Sequence, residues 1–216
     1  KALAGKAECT AALREELGLP VPERNPVLLI GVVSRLAEQK GFELLVAAAA
    51  KLAKKPVQIV ILGTGDRAIQ EALEEACRKA PDRFIFRPKF DTGLAHRIYA
   101  GADALLMPSK YEPCGLGQMI AMRYGTLPVV RATGGLADTV KGADPAHKHV
   151  GTGFPFKPFT ADALLKAVDE ALSAFADEPY WKRLMAEAMG EDFSWAAPAK
   201  RYETMYTQAC ARRMKS

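Results

Sequence analysis

Two cations and one carboxylate stand out because each sits where a strand should hand over to a helix. In "SRLAEQKG", Arg35 and Lys40 follow an apolar run. At such a position a planar guanidinium and a compact ammonium can hold the two phosphates of a nucleotide, one as a bidentate fork and the other as a point charge. A solvated loop is the plain alternative. In "SKYEPCGLGQ", Glu112 precedes Gly115, Leu116 and Gly117, whose N–H groups should open the next helix. Glycines at a helix start let an anion approach the backbone closely. A carboxylate beside an anion site is repelled by that anion unless it faces another part of the ligand. Glu112 is therefore suited to accept hydrogen bonds from sugar hydroxyls or to face a developing positive charge; capping the helix is its simpler use. "RATGGLADTV" repeats the design with Thr133, Gly134 and Gly135, where an ordinary turn is the alternative.

The elements that must carry these residues are legible. "PVLLIGVVS", "VQIVILG", "FIFRP", "ALLMPS" and "LPVVRA" are short, near-continuous apolar runs rich in Val and Ile, the pattern of strands buried on both faces. Between them, "GFELLVAAAAKLAKK", "DRAIQEALEEACRKA", "GLAHRIYAGA" and "GQMIAMRYG" place apolar residues three and four apart. A βαβα order with such strands predicts an α/β fold with a doubly wound, Rossmann-like parallel sheet and helices on both sides. Past Thr160 the sequence predicts helices only, in "TADALLKAVDEALSAF", "PYWKRLMAEAM" and "SWAAPAKRYETMYTQACARR", with a break at Pro179 and another near "GEDFSW". The last of them, residues 194–213, is a candidate to leave the domain. "GADPAHKHVGTGFPF" reads as a long polar loop of the kind that rims a site. In open parallel sheets ligands collect outside the carboxyl ends of the strands, which is where the three stretches above fall.

Several chemistries are excluded or disfavoured. "LGTGD" is no dinucleotide fingerprint, since the third glycine would fall at Ala68, and it is no P-loop; close backbone packing at Gly63 and Gly65, with Asp66 as a helix cap, suits it better. His147 and His149 form H-x-H in a loop with no Cys or spaced carboxylate to complete a metal set. There is no G-x-S-x-G elbow and no D-x-D pair. Four scattered cysteines without C-x-x-C argue against zinc and against a disulfide framework, and fit a reducing compartment. The net charge of +5 is spread among nearly as many acids with no aromatic interleaving, so it does not point to nucleic acid. No run reaches the roughly 18 apolar residues of a membrane span, and "KALAGKAECT" lacks a signal-peptide core, so a soluble chain is expected. With 216 residues, about half of them apolar, one large domain is expected. It opens on Lys1 inside a helical pattern, as a fragment or processed product would.

"VVSRLAEQKG", "EPCGLGQMIAMRYGTLPVVRATGGLADTV" and "DFSW...AKRY..MY", in this order across nearly the whole chain, resemble the C-terminal domain of bacterial glycogen synthases and plant starch synthases. The resemblance implies one lobe of a two-lobed GT-B glycosyltransferase that moves glucose from ADP-glucose to the non-reducing end of an α-1,4-glucan, with retention and without a metal or other cofactor. It matches Arg35 and Lys40 to the diphosphate and Glu112 to the donor sugar as catalytic-site residues. Phe90, in "RPKFDTG", falls where an aromatic residue often lies near the adenine. Gly115, Leu116, Gly117, Thr133, Gly134 and Gly135 would line the donor site. Two departures matter. A second glutamate found in many related transferases eight residues after the first is Ile120 here, and Gly117 replaces a residue that is often polar. Two such lobes need on the order of 400 residues, so an acceptor-side N-terminal lobe is missing, and residues 194–213 are expected to pack toward it. The expected setting is a bacterial cytoplasm or a plastid stroma. A GT-B transferase for a UDP-sugar, or a non-catalytic nucleotide- or glucan-binding module, are the alternatives.

Overall fold

In the computed structural model, which describes residues 3–21 and 26–213, the five apolar runs form parallel strands. They are β1 (Leu28–Val33), β2 (Val57–Leu62), β3 (Phe84–Arg87), β4 (Ala104–Met107) and β5 (Leu127–Arg131). A sixth strand, β6 (Phe154–Phe156), completes a sheet of order β3-β2-β1-β4-β5-β6. This corrects the sequence expectation, which leaves "FPF" in a polar loop. Three residues carry no readable alternation, and Pro155 is tolerated because β6 is an edge strand hydrogen-bonded only to β5.

The helices are α1 (Lys6–Leu17), α2 (Phe42–Leu52), α3 (Arg67–Lys79), α4 (Thr92–Gly101), α5 (Gly117–Arg123), α6 (Gly135–Thr139), α7 (Ala161–Phe175), α8 (Glu178–Gly190) and α9 (Ala196–Arg213), with a 3-10 turn at Glu38–Lys40. Their starts follow local chemistry. The side chains of Asp66, Asp91, Thr160 and Asp177 each accept a backbone N–H of the first turn of α3, α4, α7 and α8. Pro179 lies in the first turn of α8, where its missing N–H is no loss, so the break falls before it, at Ala176 and Asp177.

Successive strand residues serve opposite faces of the sheet. Leu28, Ile30, Val32, Val57, Ile59 and Ile61 join Phe42 and Leu45 of α2, Leu164 and Val168 of α7 and Leu184 of α8 in one core. Leu29, Val60 and Leu62 turn the other way, onto Leu13 of α1 and Leu94 and Ile98 of α4. Each such Leu or Ile contributes about 1.5–3 kcal/mol when fully buried. Lys51, in the last turn of α2, and Lys55, just beyond it, pair with Asp162 and Asp169 of α7. The described side chains of α9 are almost all exposed, among them Tyr202, Met205 and Tyr206, with Trp195 just before the helix.

Candidate active site

Strand order decides what meets what. The order in which the parallel strands are added reverses at β1 and β4, so the loops leaving these neighbours diverge and open a crevice at their carboxyl ends. The β1 loop carries Arg35 and ends in the 3-10 turn with Lys40; the β4 loop carries Ser109 to Glu112. Across the crevice Lys40 Nζ donates to Glu112 Oε2 at 2.6 Å, and the Ser109 hydroxyl lies 3.4 Å from the same oxygen. Glu112 is only 6% exposed.

Backbone contacts hold the two loops in this relation. Lys110 N donates to Gln39 O at 2.9 Å, and Gln39 Nε2 donates to Tyr111 O at 3.0 Å. Gly41, directly after Lys40, sits at φ +69 with its Cα against the end of β4; a Cβ there would lie 2.1 Å from Pro108 O. From the next strand, Arg131 donates through Nη1 to Ser109 O and Lys110 O, and its guanidinium stacks on Phe159 at 5.3 Å.

The Thr133–Gly135 stretch has a role beyond the expected cradle. The Gly135 N–H donates to Glu112 O at 3.0 Å, so it is already used. A Cβ on Gly134, whose φ is +47, would come within 2.1 Å of Glu112 O, and one on Gly135 within 2.0 Å of Cys114 O. These two glycines let the start of α6 press against the backbone that bears Glu112. By contrast, among the described residues the N–H groups of Gly115, Leu116 and Gly117 have no acceptor within the chain. Leu116 is exposed and Gly115 is left-handed at φ +73.

Arg35 is exposed and, among the described residues, forms no ion pair. It lies at the mouth of an apolar pocket of about 230 Å³ formed by Val33, Leu62, Gly63, Ala95 and Phe90. Phe90, 89% exposed, stands at its rim. The "GTG" turn forms one wall by close packing, since a Cβ on Gly63 would meet Ser34 O at 1.9 Å. The structure thus brings Arg35, Lys40, Glu112 and Phe90 to one end of the sheet. His147 and His149 lie elsewhere: His147 Nδ1 is 2.6 Å from Asp144 Oδ2, and that hydrogen bond raises its pKa. Among the described residues no group of three or more His, Cys, Asp or Glu could hold a metal ion, all four cysteines are free, and no helix is long and apolar enough to cross a membrane. The sequence did not reveal Ser109, Gln39 and Arg131 as supports of the crevice; only Arg131 had a signal, a cation closing an apolar strand.

A six-stranded parallel sheet with helices on both faces and a cation–carboxylate pair at its switch point places this chain in the Rossmann-like class of α/β folds. Residues 18–183 match the family described as "Glycosyl transferases group 1", and the chain belongs to that family. It is 54% identical over 204 residues to a glycogen synthase of Anaeromyxobacter dehalogenans, covering 94% of this chain and 42% of that protein. With the glycogen synthase of Thermotoga maritima the identity is 50% over 208 residues, 96% of this chain and 42% of the relative. Among solved structures, the catalytic domain of starch synthase IV from Arabidopsis thaliana, bound to ADP and acarbose, superposes with a TM-score of 0.86 at 38% identity, over 97% of this chain and 43% of that one. The chain spans less than half the length of these relatives, and the region matched is their C-terminal part. The expected GT-B lobe and the resemblance to glycogen and starch synthases are thereby borne out.

Proposed function

We propose that this chain is the donor-binding lobe of a retaining glucosyltransferase that moves glucose from ADP-glucose to the non-reducing end of an α-1,4-glucan. The observation that carries this reading is the meeting of Lys40 and Glu112 across the switch point, with Arg35 lining an apolar pocket that shares Val33 and Ser34 with that crevice. The pocket with Phe90 takes the adenine. Arg35 and Lys40 hold the diphosphate, helped by the unpaired N–H groups of Gly115, Leu116 and Gly117, so that no metal is needed to neutralise it. When the phosphates draw Lys40 away, Glu112 is released toward the glucose, where its charge supports the positive character that develops at the anomeric carbon. Thr133, Gly134 and Gly135 line the site by fixing the Glu112 backbone. The starch synthase structure holds ADP and acarbose, which supports a nucleotide beside a glucan.

The acceptor side belongs to an N-terminal lobe, for which the greater length of the relatives leaves room. We assign the exposed aromatic face of residues 194–213 to contact with that lobe, in a bacterial cytoplasm or a plastid stroma. Calorimetry tests the donor half. Arg35→Ala and Lys40→Ala should each remove charge-assisted bonds and weaken ADP by about tenfold to a hundredfold. A double variant that binds ADP like the parent refutes the assignment, and tighter binding of UDP than ADP moves the donor to a uridine nucleotide sugar.

A further inference from the structure

Gln118 lies in the first turn of α5, fully buried, and is surrounded by acceptors. Its Nε2 donates to Gly115 O at 2.8 Å, to Thr139 Oγ1 at 3.1 Å and to Cys114 O at 3.2 Å. The Thr139 hydroxyl spends its hydrogen on Gly135 O at 2.6 Å, so toward Gln118 it too is an acceptor. Turning the amide over would set its oxygen against two carbonyls, which fixes the orientation. Oε1 is then left buried with no hydrogen-bond partner. A buried acceptor without a partner is destabilising, and an apolar side chain of similar volume would avoid that loss if packing were all this position had to supply.

What Gln118 supplies is closure of a ring. From Gln118 the contacts run to Thr139, on to Gly135 in the same helix, from the Gly135 N–H to Glu112 O, along Glu112–Gly115, and from the Cys114 and Gly115 carbonyls back to Gln118. Without the amide, the Glu112 segment keeps its Gly135 bond and loses both its tether at Cys114 and Gly115 and the link that ties α6 to α5. We infer that Gln118 is a positioning residue for Glu112, holding its backbone so that the carboxylate reaches the donor sugar. This rests on the sugar-side reading of Glu112 given above.

The test uses this chain and two ligands, ADP and ADP-glucose, together with amide hydrogen exchange. In Gln118→Leu, exchange at the Gly135 N–H should quicken by about tenfold or more. The preference for ADP-glucose over ADP should fall by about threefold to tenfold, on top of a loss of ADP affinity of up to about tenfold from the loosened Gly115 and Leu116 N–H groups. Gln118→Glu, which keeps the shape but sets carboxyl oxygens against the Cys114 and Gly115 carbonyls with at most one O–H to donate, should fall at least as far. Thr139→Val, which breaks only the α6 link, should move the same way by less, and it decides the matter if the Gln118 variants do not fold. Unchanged Gly135 exchange overturns the inference, as does an intact ADP-glucose preference or a parallel loss of both ligands. A parent chain that binds ADP-glucose no better than ADP refutes the sugar-side role of Glu112 and this inference with it; failure of the variants alone refutes only the part given to Gln118.

Discussion

Gly134→Ala adds a single methyl group against the backbone that bears Glu112. The new Cβ would lie 2.1 Å from Glu112 O and 3.0 Å from the Glu112 carbonyl carbon. Carbon atoms and their neighbours settle at about 3.5 Å, so one backbone must retreat by more than about 1 Å, and no rotamer change relieves a clash between main-chain atoms. Overpacking of this kind costs about 1–3 kcal/mol, and holding a non-glycine residue at φ +47, ψ −133, a region outside the left-handed helical well, adds about 1–3 kcal/mol. At about 2–4 °C per kcal/mol for a chain of this size, the melting temperature should drop by on the order of 10 °C. The displaced segment carries Glu112, and a misplacement of about 1 Å at a reacting centre can lower turnover about a hundredfold. Thermal unfolding followed by circular dichroism reads the first effect; glucose transfer by an enzyme carrying both lobes reads the second. A variant that melts within about 1 °C of the parent and transfers glucose at the parental rate refutes the claim that Gly134 exists to admit the Glu112 backbone.

Lys40→Met leaves a largely buried carboxylate unpaired, a loss of about 3 kcal/mol by analogy with other buried pairs, and Glu112→Gln added to it should restore part of that stability. Urea denaturation of the cycle should give a coupling of about 1–3 kcal/mol, and strict additivity would contradict the pairing. At the opposite end of the sheet, burial lowers the Lys6 pKa from 10.5 to about 8, and burial raises the Asp103 pKa from 3.8 to about 6. The folded state therefore holds the Asp103 proton more tightly than the unfolded one, so this stabilisation is full below pH 3.8 and is lost as the pH rises through 6. The stabilisation linked to Lys6 is full above pH 10.5 and is lost as the pH falls through 8. Denaturant midpoints against pH should flatten between 3.8 and 6 in Asp103→Asn and between 8 and 10.5 in Lys6→Met; parental slopes in both variants would remove these groups from the account.

Local signals carried the sequence far. Apolar runs of Val, Ile and Leu mark five of six strands because a strand buried on both faces has no polar alternation to obscure it, and Asp66 is legible as a cap because capping is local. The candidate residues Arg35, Lys40 and Glu112 were legible because glycines and strand ends frame them. What stayed hidden depends on strand order. Lys40 and Glu112 are 72 positions apart and meet only because β1 and β4 are neighbours. The use of Gly134 and Gly135, the ring through Gln118 and the mutual influence of the Lys6 and Asp103 charges are likewise interactions between distant segments. β6 escaped notice because three residues with a central proline give no period to read.

The central claim is that this lobe holds an adenine nucleotide diphosphate at the crevice of Arg35, Lys40 and Glu112, and an ADP titration of the isolated chain with UDP in parallel tests it most directly. The account predicts a dissociation constant below about 1 mM for ADP, weaker binding of UDP, and no change when a chelator is added. No heat from ADP at concentrations well above about 1 mM, or binding that a chelator abolishes, contradicts it.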